Sequence, residues 1–166
     1  MISFVDIIVI GGGHAGIEAS LSSARMGIST VLITLDSSKI GQMSCNPSIG
    51  GLGKGQLVRE VDALGGEMGR AADITALQVK MLNTRKGPAV QSLRSQNDRV
   101  AYREYMQQVI NNTDKLTVVE GEVSELEVHD DMIVGVKTSD GRFIKCRAVV
   151  ISSGTFLNGV MHRGKA

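Results

Sequence analysis

The 166-residue chain is long enough for one domain with a real core and too short for two comfortable ones. A hydrophobic share of 42%, a charged share of 21% and a formal charge of +1 are those of an ordinary globular protein, so any nucleic-acid site must be a local patch. Cys45 and Cys146 lie far apart in sequence, which excludes a disulfide scaffold and a metal-ligand cluster, and no stretch approaches the ~20 apolar residues of a membrane span.

The start carries no signal-peptide pattern, and two unclustered cysteines suggest a reducing compartment, so a cytoplasmic protein with no membrane partner is expected. Twenty glycines against two prolines point to close backbone approach to a ligand, or to many tight turns.

In chain order, the unalternating apolar run 5–10 fits a strand buried on both faces, as in a parallel sheet. Gly11–Gly13 break it, and 14–26 carry a helical pattern with Ile17, Leu21 and Ala24 on one face and Gly27 just past the end. A second buried strand follows at 30–35, so residues 5–36 form a βαβ unit. Residues 37–55 make a glycine-rich loop holding Cys45. Residues 56–112 are expected to be mainly helical: one helix over 56–69 with Leu57, Val61, Leu64 and Met68 on one side, and a long polar helix over 91–110, with 70–90 unassigned. From Thr117 the period becomes two, with turns at Asp130-Asp131 and 139–141. The region 117–154 is therefore a small antiparallel meander followed by a buried strand at 148–152 that ends near Gly154.

The glycine spacing carries chemistry. Gly11-x-Gly13-x-x-Gly16 follows a strand and opens a helix. The first glycine permits the tight turn, the second lets a pyrophosphate approach the backbone, and the third lets the helix pack on the strand. The free amides and positive dipole end of the helix favour phosphates. In that context the turn reads as a dinucleotide site made by Gly11, Gly12, Gly13, His14, Ala15 and Gly16, with backbone amides doing the binding and His14 a loop side chain. An acid for the ribose is expected about 20 residues on. Asp36 stands twenty after Gly16 and follows the second strand, and NAD and FAD both fit so far.

The meander followed by "AVVISSG" resembles the glutathione-reductase type of flavoprotein, where a meander insertion returns to the sheet beside FAD and ends in a small-residue motif, here Ser153-Gly154. This favours FAD and an α/β, Rossmann-like domain with a parallel sheet and a small meander. Counted from Gly27, that family's ribose-binding acid falls on Thr34, so the adenosine contact lies with Thr34 or Asp36.

"GGGHAG", "GQMSCNPSIGGLGKGQLVREVDALGG" and "KGPAVQSLRSQNDR" together resemble the GidA/MnmG family, flavoprotein subunits that modify uridine at the wobble position of tRNA. The resemblance covers essentially the whole chain. Family members are several times longer, and "GTFLNGVMHRGKA" stops shortly after a strand, so residues 1–166 are expected to be the N-terminal part of a discontinuous FAD-binding domain, inactive alone. The resemblance implies a cytoplasmic homodimer working with a GTPase partner of the MnmE type. Together they add a carboxymethylaminomethyl or aminomethyl group to uracil C5, with methylene-tetrahydrofolate as carbon donor and NADH as reductant of the flavin. The NADH site and the GTPase-binding tail would lie beyond residue 166. Val123 and Gly154 join the glycine turn as implied FAD contacts.

The same resemblance makes Cys45 the catalytic candidate. A lone intracellular cysteine is more often a small buried hydrophobe, the reading given to Cys146 because it alternates within a strand. "MSCNP" set among glycines is different. Uracil C5 becomes nucleophilic once something adds to C6, and a thiolate can do that; a role as acid or base stays open. Lys54 and Arg59 nearby could lower the thiol pKa.

"GGLGKGQ" looks superficially like a phosphate-binding P-loop, but Ser48 replaces its first glycine and Gly55 its magnesium-binding hydroxyl residue. Between residues 76 and 110, Lys80, Arg85, Lys86, Arg94, Arg99 and Arg103 outnumber Asp98 and Glu104. They form a solvated face or a phosphate-binding patch. Asn46, Lys86, Arg94 and Arg99 are the candidate substrate contacts. Two rivals stand beside this reading: the FAD- and folate-dependent methyltransferase of the tRNA T-loop uridine, whose cysteine motif differs, and a non-catalytic dinucleotide-binding module.

Overall fold

The structure is a computed structural model that describes residues 3–44 and 46–157 together with Gly164. Four parallel strands form its centre. β1 (Phe4–Ile10) lies between β2 (Thr30–Thr34) and β9 (Phe143–Ile151), and β6 (Leu116–Glu120) flanks β2. β8 (Met132–Thr138) and β7 (Val123–His129) then extend the sheet antiparallel beyond β9, giving the order β6-β2-β1-β9-β8-β7.

The buried apolar runs read from sequence are the central strands. In β2 the first four residues are all buried. α1 (His14–Arg25) covers one sheet face through Ile17 and Leu21, both 0% exposed, each contributing about 1.5–3 kcal/mol by burial. They join Val9 and Leu32 from the sheet and Tyr102, Met106 and Ile110 from α4 (Arg99–Asn111) in one core. On the opposite face Val136 and Ile144, from β8 and β9, join Val5, Ile8, Val31 and Ile33 in a second core. Cys146 belongs to it, 4% exposed, and burial pushes its thiol pKa up.

Several expectations change. Residues 56–69 are not one helix. α2 (Lys54–Ala63) stops before Gly65-Gly66, where the Gly66 amide turns back onto the Val61 carbonyl, and α3 (Met68–Ile74) starts after it. Of the side expected to pack, Leu57, Val61 and Leu64 are exposed, Leu64 to 89%, and Met68 alone packs on the core. The helical region 56–112 also contains strands. β3 (Ser48–Gly50), β5 (Ser92–Asn97) and β4 (Ala76–Leu82) form a separate antiparallel sheet in that order. The polar helix begins at Arg99 rather than 91, because Asp98 caps it by accepting from the amides of Val100 (2.8 Å) and Ala101 (3.0 Å). Finally, the strand beginning near Thr117 is parallel to β2, not part of the meander, and the separate strand expected at 148–152 is the second half of β9. The Asp130-Asp131 turn is as expected: both residues have positive φ, as a tight two-residue hairpin requires.

Candidate functional site

The glycine turn shows three different environments. Gly11 sits at φ +111°, and a Cβ there would lie 2.5 Å from the Ser152 carbonyl oxygen. A Cβ on Gly16 would lie 1.9 Å from the Gly11 carbonyl oxygen and 2.6 Å from Ser152 Oγ. These two positions are closed by backbone. Gly13, the N-cap of α1, has nothing within 4 Å of the place its Cβ would take. The turn is packed from behind and open in front, where a ligand would meet it.

That open side has the electrostatics of an anion site. α1 has no side-chain cap and no acid in its first turn, so its leading amides and positive dipole end stay available. These residues fit the pyrophosphate of a dinucleotide: amides in front, no acid in the first turn of α1, and no Cβ at Gly13 to exclude it.

Ser152 escaped the sequence reading, which stopped at Ser153-Gly154. It closes the cradle: its amide and hydroxyl donate to the Ile10 carbonyl (2.8 and 2.9 Å), tying the end of β9 to the start of the turn. Gly154 follows at φ +61°, exposed and open. Ala15 is exposed on the first turn of α1.

His14 is more than a loop side chain. It is the first residue of α1, and its ring meets Tyr102 edge-on with centroids 5.6 Å apart. Burial lowers its pKa, partly offset by the charge of Glu18, so the imidazole is neutral near pH 7.

Thr34 and Asp36 separate clearly. Thr34 Oγ1 lies 2.9 Å from where a Gly12 Cβ would stand, so Thr34 is against the turn. The Asp36 carboxylate is engaged elsewhere: it accepts from the Ser38 amide (2.9 Å) and hydroxyl (2.5 Å), capping a short 3-10 turn, and pairs with Lys39 at 3.1 Å. The Ser38 hydroxyl foremost, then Lys39, hold its pKa below the usual carboxylate value. Val123 opens β7, and two residues before it the Gly121 amide donates to the Thr34 carbonyl at 2.9 Å. That bond fastens the start of the β6–β7 connection to Thr34, while Val123 itself packs on the second core.

The substrate candidates lie on a different part of the fold. Cys45 is outside the described residues. Before it, the Gly41 amide donates to the Gly12 carbonyl (3.2 Å); after it, the Pro47 carbonyl accepts from the Asn97 amide (2.7 Å). The loop is thus fastened to the dinucleotide turn at one end and to the three-stranded sheet at the other. Asn46 is exposed, and its carbonyl accepts from the Ser48 amide that starts β3. Arg94 is half-buried on β5, Lys86 is exposed in the turn after β4, and Arg99 is exposed at the start of α4. The structure does not gather these three on one helix, as a continuous 91–110 helix would have done for the two arginines.

A buried polar hub joins the two parts. Glu67, 1% exposed, is ion-paired with Arg25 of α1 and accepts from the Tyr105 hydroxyl of α4 at 2.6 Å. The amides of Glu67 and Met68 in turn donate to the Glu18 carboxylate of α1 at 3.0 and 2.6 Å. Among the described residues no group of three or more His, Cys, Asp or Glu is placed to hold a metal, and no helix is long and apolar enough to cross a membrane.

Comparison with known proteins follows the same lines. The tRNA uridine 5-carboxymethylaminomethyl modification enzyme MnmG of Sulfurihydrogenibium sp. (strain YO3AOP1) is 58% identical over 161 residues, covering 96% of this chain and 26% of the relative. The enzyme of the same name from Aquifex aeolicus is 57% identical with the same coverage. The crystal structure of Aquifex aeolicus GidA superposes with a TM-score of 0.91 at 56% identity, over 94% of this chain and 26% of that one. At fold level only, a probable FAD-dependent monooxygenase from Pseudomonas aeruginosa superposes with a TM-score of 0.65 at 14% identity. The chain spans about a quarter of the length of the curated relatives it matches. The family model for glucose inhibited division protein A matches residues 6–166, and this chain belongs to that family.

Proposed function

We propose that this chain is the FAD-holding portion of an enzyme that adds a carboxymethylaminomethyl or aminomethyl group to C5 of the tRNA wobble uridine. The observation that carries the reading is the cradle at Gly13, closed behind by Gly11, Gly16 and Ser152 and open in front of the uncapped α1 amides. It rests also on the name shared by relatives above 50% identity.

In this reading the amides of Gly13 to Gly16 hold the FAD pyrophosphate, Thr34 and Val123 border the adenosine, and Gly154 lines the approach to the flavin. Asp36 caps its own turn instead, which makes Thr34 the better ribose neighbour. Bound flavin supplies the redox step, with NADH as its reductant and methylene-tetrahydrofolate as the carbon donor. Cys45 acts on the uracil, adding to C6 as a thiolate or moving a proton, while Asn46, Lys86, Arg94 and Arg99 contact substrate. The whole protein works in the cytoplasm as a homodimer with a GTPase partner of the MnmE type.

Cys45→Ser tests the chemical role. The replacement removes little volume, so the full-length protein should keep its flavin absorbance and melting temperature while losing wobble modification entirely. Nucleoside analysis of tRNA from a complemented deletion strain reads the outcome. Normal wobble modification there would make Cys45 a packing residue.

A further inference from the structure

The three-stranded sheet pairs two cations. In the β4–β5 register Lys80 stands directly opposite Arg94, and in the β3–β5 register the residue on Arg94's other side is Gly50, which offers no side chain. Residues directly opposite one another share a face, and like charges in that relation destabilise a sheet. No carboxylate relieves the pair: neither Lys80 nor Arg94 takes part in an ion pair or side-chain hydrogen bond among the described residues. A lysine on an edge strand is commonly explained as protection against edge-to-edge pairing. That covers Lys80 on β4 but not Arg94, half-buried on the central strand. The neighbouring row of the same face is Ser48, Gln96 and Gln78, all neutral hydrogen-bonding side chains. Ser48 lies three residues after Cys45, and its amide is bonded to the Asn46 carbonyl.

We propose that Lys80 and Arg94 form a clamp for one phosphodiester of the RNA strand, with the Ser48–Gln96–Gln78 row beside it contacting sugar or base. The inference rests on the tRNA-modifying reading above and adds a site to it. An anionic group between the two cations turns their repulsion into a bridged arrangement. Arg99 and Lys86 take no part in this clamp.

The test uses the full-length flavin-loaded protein and an anticodon stem-loop RNA with an unmodified wobble uridine. Lys80→Glu with Arg94 intact should raise the melting temperature, because the like-charge pair becomes an opposite-charge pair, and should lower RNA affinity tenfold or more. Lys80→Ala/Arg94→Ala should reduce the slope of log affinity against log salt by about 0.7–1, the value for one lost phosphate contact. Flavin content should be unchanged in both. Unchanged affinity and slope in variants of a protein that binds and modifies the RNA would overturn the clamp alone. Loss of flavin with RNA affinity intact would overturn it in favour of a cofactor phosphate. A wild-type protein that neither binds nor modifies the RNA would overturn both the clamp and the function proposed above.

Discussion

Gly13→Asp is expected to yield a folded protein without flavin. The backbone there is ordinary (φ −78°), nothing lies within 4 Å of the new Cβ, and aspartate is among the best N-cap residues. The fold should therefore be unharmed, or gain a few tenths of a kcal/mol from the new cap. Its carboxylate would occupy the space in front of the α1 amides, satisfy them and repel a pyrophosphate. Gly16→Ala separates this effect from damage to the turn. Its methyl would enter the Gly11 carbonyl at 1.9 Å, a clash with backbone that only movement of α1 can relieve. That variant should lose ~3 kcal/mol or more of stability along with its flavin. Thermal melts and flavin absorbance of the two purified variants check both halves. A Gly13→Asp protein with full flavin content would remove the cradle as the cofactor site.

Glu67→Ala should have the largest effect of any substitution away from the turn. It strips the partner from Arg25 and from the Tyr105 hydroxyl inside a contact that joins α1, α3 and α4. Breaking a buried pair from one side costs about 3–5 kcal/mol, and Arg25, 35% exposed, recovers some hydration and brings the expected loss to the lower end. Glu67→Gln keeps the shape and part of the hydrogen bonding and should cost less. The charge also gives an acid signature. Burial pushes the Glu67 pKa up, but the hydrogen bonds from Tyr105 and Arg25 outweigh it, leaving the carboxyl below its ordinary 4.5. The unfolded chain therefore binds the proton more tightly. The contribution is complete above pH 4.5 and disappears as pH falls through the lower folded-state value. Denaturant melts between neutral and acid pH should show a shallower acid-side loss in Glu67→Gln than in the wild type. Equal slopes would mean that another carboxylate carries the acid sensitivity.

The parts of the fold that sequence exposed best are those where one physical requirement acts alone. Strands buried on both faces are continuous apolar runs, so β1 and β2 stood out, and the Gly11–Gly16 spacing follows from turn and approach sterics. Asp130-Asp131 marked its hairpin by turn chemistry. The three-stranded sheet was hidden because its strands are mixed. β5 is "SLRSQN", polar on both faces, and its neighbour β3 is three residues long. Two local signals were nevertheless present: Leu77, Val79 and Met81 alternate with Gln78 and Lys80, and Asp98 precedes the Tyr102–Met106–Ile110 spacing of a helix. The hub at Glu67 could not be read, since its partners lie 38 and 42 residues away. Ser152 was invisible for the same reason: it is 142 residues from the carbonyl it holds. Thr34 and Asp36 were both candidates by spacing, and only geometry shows Asp36 committed to its own turn.

The central claim is that the glycine cradle serves flavin-dependent modification of the wobble uridine. Its most direct test is nucleoside analysis of bulk tRNA from a strain lacking the endogenous enzyme, complemented with the full-length protein as wild type or Gly13→Asp. The account predicts that the wild type restores the carboxymethylaminomethyl or aminomethyl uridine and that Gly13→Asp, expressed to the same level, restores none. Equal modification by the two proteins, or none by a flavin-loaded wild type, would contradict it.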